Sequence, residues 1–217
     1  MRRLLWLVTF AAAMAYLEAA VVVYLRTIYY PRGFAFPLVI IPNDAALVEI
    51  GREGATLVMI LGVAALAAAN RREAFLLFAL VFGVWDILYY AWLRVLAGWP
   101  PSLLTPDILF LIPVPWVGPV LAPIVVSLGL IAGSLLLLRR QARWVVVRFH
   151  PPLWAVAIAG GVLVLLSFTI DFKAVLEGGG PPPFRWGLFG AGVALGVLSL
   201  ATGLHRLKGM IPPEPGD

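Results

Sequence analysis

Apolar residues run along this chain in six long blocks, each ended by charges or by a cluster of prolines and glycines. The blocks cover approximately 4–25, 45–69, 74–97, 117–138, 153–170 and 187–204. A hydrocarbon core about 30 Å thick is crossed by roughly 20 helical residues, and every block reaches or approaches that length. The pattern predicts an all-α fold, a polytopic transmembrane bundle of about six spans arranged as three hairpins. Residues 1–210 form a single membrane domain, and 211–217 read as a disordered cytoplasmic tail. Between Asp107 and Pro119 the chain is apolar but interrupted by Pro113, Pro115 and Gly118. Proline removes a backbone donor and blocks a regular helix, so a short broken or re-entrant segment near 108–119 is expected there.

Composition strengthens this reading. The chain is 62% hydrophobic and 12% charged, with a mean hydropathy of +0.99, against about 25% charged residues in a soluble domain. So much apolar surface is stable only in lipid. The first block is too long for the roughly 7–15-residue core of a signal peptide and is expected to be an anchor. The net charge of +5 does not gather into a nucleic-acid-binding face; the basic residues stand at span ends, and no nucleic-acid partner is expected. With the N-terminus inside, ten Lys and Arg fall on the cytoplasmic side and six on the other. The positive-inside rule then puts both termini in the cytoplasm, and the bias of arginine over lysine suggests a bacterial inner membrane.

The external loops are rich in proline yet carry apolar residues such as Phe34, Phe36, Ile40 and Ile41, so they are expected to fold back as a lid over the helix ends. The basic linker Arg139–Pro152, with Trp144 and Phe149, is an ordinary positive-inside loop. Asp44 and Asp107 are expected to cap helix N-termini.

The informative residues are charges that topology does not explain. A charge at mid-membrane costs about 2.5–3.5 kcal/mol on insertion scales. Glu18, Glu53 and Asp86 lie roughly 10–15 Å below the outer ends of three consecutive spans. Glu49, Arg52 and Glu53 fall on one helix face, as do Asp86, Tyr89 and Tyr90. Together Glu18, Glu49, Arg52, Glu53, Asp86, Tyr89 and Tyr90 predict an outward-facing polar pocket for a cation, a proton or a small polar ligand. A second stripe, Gly192, Gly196, Ser199 and Gly203, is a small-residue face for a helix neighbour, in the chain or in another subunit.

The absence of cysteine excludes disulfides, thiolate chemistry and Cys-ligated metals. His150 and His205 stand apart from the acids, with no partner at ligand spacing. No metal or cofactor is expected, and no catalytic motif is present. Three readings follow. The pocket binds or transports; the chain is a non-catalytic subunit of a larger membrane complex; or it is an enzyme acting on a lipid or isoprenoid. Expected partners are the lipid bilayer and either a second copy of the chain or a complex partner.

Overall fold

The computed structural model describes residues 2–39, 42–141, 151–181 and 183–208. Its elements are α1 (Arg2–Tyr29), α2 (Asn43–Ala67), α3 (Arg71–Ala97), β1 (Pro106–Phe110), β2 (Trp116–Pro119), α4 (Leu121–Gln141), α5 (Pro151–Thr169), α6 (Phe172–Leu176) and α7 (Trp186–Lys208). Six helices among the described residues are long and apolar enough to cross a membrane. The chain is an integral, multi-pass membrane protein with an all-α spanning bundle. The tail 211–217, His150, Trp144, Phe149, Ile40 and Ile41 lie outside the described residues.

The helices alternate between a loop end, where α1 finishes and α2 begins, and an opposite, basic end. At the basic end α2 turns into α3 through a reciprocal cap. The Asn70 side chain accepts the Glu73 N–H at 3.0 Å, and the Glu73 carboxylate accepts the Ala69 N–H at 2.7 Å. Arg3 closes the corner on Glu73 at 2.6 Å. Such a box satisfies donors that a helix start leaves open. At the other end of α3, Gly98 adopts φ 66° and donates to the Arg94 carbonyl, a left-handed stop that suits glycine.

α3 is the hub of the bundle. It packs against α1, α2 and α4, and it holds the largest share of buried residues among the spans. α1 meets it through the fully buried Ala11, Ala15 and Ala19, one per turn, where small side chains let backbones approach. Trp92 reaches across to donate to the Ala12 carbonyl at 3.1 Å. α4 approaches at Gly83, where a Cβ would stand 2.8 Å from the Ser127 carbonyl oxygen.

α5 and α7 form a second closely packed pair. The glycine stripe is used here: a Cβ on Gly192 would stand 2.7 Å from the Gly160 carbonyl oxygen, and Ser199 donates to the Leu153 carbonyl at 2.7 Å. Gly203 is buried on the same helix, whereas Gly196 has open space at its Cβ position. Gly192 and Ser199 of the stripe thus meet α5.

The segment near 108–119 breaks the helical pattern, as expected, and its form is a two-stranded antiparallel hairpin with Asp107 opposite Gly118 and Ile108 opposite Val117. The prolines explain why a hairpin fits where a helix does not. Pro106 and Pro119 occupy the outermost strand positions and Pro113 and Pro115 the turn, so none removes an interior ladder bond. Phe110 near the tip lies 6.3 Å from Phe82 and 6.4 Å from Trp85, ring to ring. Phe82 is about 22 Å along α3 from Ala97, so the hairpin dips to the middle of the bundle. Irregular backbone at that depth requires protein around it. Trp116 supplies some on the other flank, stacked 6.3 Å from Phe168 of α5, so the hairpin joins the α3 assembly to the α5–α7 pair.

Two capping expectations are corrected. α2 begins at Asn43 behind Pro42 with no side-chain cap, and Asp44 lies inside its first turn. Asp107 caps nothing: it sits in β1, 1% exposed, because the segment after Pro106 is extended.

Candidate functional site

The expected polar residues do converge. Glu49, Glu53 and Asp86 are buried, and Arg52 reaches from α2 to both Glu18 of α1 and Glu49 of its own helix, the latter at 2.8 Å. Two carboxylates thus flank one guanidinium, which offsets the cost of bringing all three out of water. Glu18 also accepts from the Thr56 hydroxyl at 3.2 Å. Asp86 of α3 accepts from Ser127 of α4 at 2.7 Å. That bond depends on the close α3–α4 approach at Gly83, one turn earlier on α3.

Glu53 has a partner that no sequence spacing suggests. Both of its oxygens face the backbone N–H of Leu111, at 3.1 and 2.9 Å. Leu111 is half-buried at the hairpin tip, and a peptide donor drawn away from water is costly to leave unpaired. The α2 carboxylate satisfies this one.

Glu18, Arg52, Glu53, Asp86, Tyr89 and Tyr90 share a cavity of ≈ 60 Å³, closed on one side by Ile108, Leu109 and Phe110 of β1. Glu49 is outside its wall and belongs to the site only through Arg52. Thr56 and Trp85 complete the lining. Trp85 Nε1 is buried there without a hydrogen-bond partner among the described residues. A polar space of this size has room for a few waters.

Sequence reasoning missed a second ion pair beside the first. Arg26, one of the basic residues at span ends, turns inward and donates to Asp107 at 2.9 Å, with side-chain exposures of 13% and 2%. The guanidinium lies 4.3 Å from the Phe34 ring centre and 3.8 Å from that of Trp99, so aromatic faces cover the charge where water is excluded. Phe34 in turn meets Tyr30, Phe36 and Trp99 edge-on, and the described part of the first loop is indeed a lid on the helix ends. Tyr90 stands beside the Asp107 carboxylate, linking the two ion-pair groups through α3.

A second, larger cavity of ≈ 250 Å³ lies at the loop end between the hairpin, α5, α6 and the proline-rich segment before α7. It shares no residue with the acid layer. The larger space is thus separate from the buried charges, and small volume is part of the chemistry of the acid site. Of the histidines, only His205 is described, exposed near the basic end and far along α7 from either cavity.

Among the described residues, no three acids or histidines are grouped to hold a metal ion, since the carboxylates are spent on arginines, hydroxyls and a peptide N–H. The arrangement can hold protons and pass them between carboxyl, phenol and water; it has no room for a sizeable organic substrate. No protein-family model, no curated protein and no solved structure matches the chain.

Proposed function

We propose that this membrane protein binds and relays protons through its buried carboxylate layer. The observation that carries the reading is an imbalance of charge. Five carboxylates, Glu18, Glu49, Glu53, Asp86 and Asp107, share the region with two guanidiniums, Arg26 and Arg52. Fully ionised, the group would carry three unpaired negative charges in lipid, each costing about 2.5–3.5 kcal/mol on the mildest scales. Protons remove that cost. A cation of the calcium type would need about 6–8 converging oxygens, and a polar organic ligand would need a pocket of about 300 Å³ or more. Neither requirement agrees with a cavity of ≈ 60 Å³, so the proton is favoured over the other ligands.

Roles divide within the group. Asp86 is the proton-holding carboxyl, on the cavity wall and, among the described residues, in no arginine ion pair. Tyr89 and Tyr90 offer hydroxyls that both accept and donate. Glu18 and Arg52 set the local field, and Glu53 holds the hairpin that closes the site. With the arginine-rich ends in the cytoplasm of a bacterial inner membrane, the cavity faces the outer half of the bilayer. The subunit reading has less support, because Gly192 and Ser199 of the stripe that suggested it already meet α5.

The test combines binding with flux. Difference infrared spectra between acidic and alkaline buffer are expected to contain a carboxylic-acid band that disappears in Asp86→Asn. Liposomes holding the protein and a trapped pH dye are expected to pass protons about tenfold faster than those holding that variant. Spectra without an Asp86-dependent band overturn proton binding; flux no greater than that of protein-free liposomes overturns the relay.

A further inference from the structure

The ≈ 250 Å³ cavity at the loop end has its own chemistry. Its walls include the rings of Phe168, Phe184 and Trp186, the Ser167 hydroxyl and the Asp171 carboxylate, and among the described residues no lysine or arginine lines it. The three rings touch: Phe184 lies 4.9 Å from Trp186 and 5.4 Å from Phe168. Gly118 of β2 makes room for them, since a Cβ there would stand 2.8 Å from the Phe168 ring and 3.0 Å from that of Phe184. Asp171 precedes α6 without capping it. Its oxygens instead meet the Arg185 Nε and Nη2, both at 2.8 Å.

The ring faces of Phe168, Phe184 and Trp186 and the Asp171 carboxylate are electron-rich. Aromatic faces and a carboxylate attract cations. Ser167 already donates its proton to the Val164 carbonyl at 2.6 Å, so among the lining side chains only the neutral Trp186 indole N–H is left to donate, and no cationic group faces the space. A primary ammonium would need several acceptors, whereas a quaternary ammonium needs none and loses least on leaving water. The volume is below the roughly 300 Å³ of the smallest common ligand sites, which suits a compact cation better than a lipid tail. Arg185 is the competitor, half-exposed to solvent and holding the carboxylate from outside the cavity.

We propose that the cavity walled by Phe168, Phe184, Trp186 and Asp171 is a binding site for a quaternary ammonium group, in a soluble cation or a lipid headgroup. The site is independent of the proton relay and stands or falls without it.

Isothermal titration of the full-length protein, purified in a maltoside detergent, with tetramethylammonium and with choline tests the site. Saturable binding of both is expected, with methylammonium weaker. Asp171→Asn and Trp186→Leu are each expected to weaken affinity about tenfold or more, while Arg185→Gln is expected to strengthen it by freeing the carboxylate. Gel filtration identifies the variants that remain folded, and either of the first two suffices. Absence of binding by the wild type overturns the proposal, as does wild-type affinity in the folded variants. Loss of affinity in Arg185→Gln matching that in Asp171→Asn also overturns it, since the ion pair would then be a strut only. Nanodiscs separate the sources: choline binding blocked in phosphatidylcholine but retained in phosphatidylglycerol identifies a headgroup site, and equal binding in both identifies a soluble cation.

Discussion

The carboxylate of Glu53 on α2 accepts the backbone N–H of Leu111 at the hairpin tip, at 2.9 Å through its nearer oxygen. The two residues are 58 positions apart, and the bond fixes the hairpin tip to α2. Truncating the side chain in Glu53→Ala leaves a buried donor unmade and is expected to destabilise the protein by about 1–3 kcal/mol. Glu53→Gln keeps a carbonyl acceptor and is expected to cost less than about half as much. Unfolding in mixed micelles measures both; equal loss in the two variants would mean that the charge, not the hydrogen bond, is what the hairpin requires.

Arg26 and Asp107 form the most enclosed ion pair among the described residues. Removing one partner strands the other charge, which costs about 3–5 kcal/mol for a buried pair. Arg26→Met and Asp107→Asn are each expected to fall in that range, and the double variant to recover much of the loss. A double-mutant cycle reads the coupling directly. Additive single effects would remove the pair from the forces that seat β1.

What was legible in the sequence follows from how local each signal is. The spans are read from apolar length, and the acids from their depth along single helices; both are properties of continuous segments. The convergence of Glu18, Arg52 and Asp86 was legible for the same reason, because three consecutive helices share one depth scale. The partners of Glu53 and Arg26 were not. Leu111 contributes only its backbone, which any residue has. Asp107 after a proline has the spelling of a cap, and Arg26 at a span end has the spelling of a rim charge. Proline spacing announced a break in helix, yet the alternative of strands flanking a proline turn was open to inspection in Ile108, Phe110, Trp116 and Val117. The Ala11, Ala15 and Ala19 stripe was equally readable and marks the α1–α3 contact.

The glycine stripe of α7 makes a prediction with an internal control. Gly192 has no space for a Cβ against Gly160, while Gly196 has nothing within 4 Å of that position. Gly192→Ala is expected to force α5 and α7 apart at a cost of about 1–3 kcal/mol, and Gly196→Ala to be close to neutral. Oligomeric state by native mass spectrometry is expected to be unchanged in both. A dimer lost in Gly192→Ala while the monomer keeps its stability would transfer the stripe to an intermolecular interface.

The direction of the chain across the membrane is open to a direct test because the sequence contains no cysteine. Gly180 at the loop end and Ala69 at the basic end are both exposed, and a Cβ on Gly180 meets nothing within 4 Å. Each therefore accepts a cysteine with little disturbance, and each variant carries a single thiol. If the arginine-rich ends are cytoplasmic, an impermeant maleimide added to intact cells labels Gly180→Cys and spares Ala69→Cys until the membrane is opened. The reverse pattern would invert the orientation and place the acid cavity nearer the cytoplasmic face, so that protons would enter it from inside. Labelling of both in intact cells would be incompatible with these two positions lying on opposite sides, and with the odd number of crossings between them that α3, α4 and α5 provide.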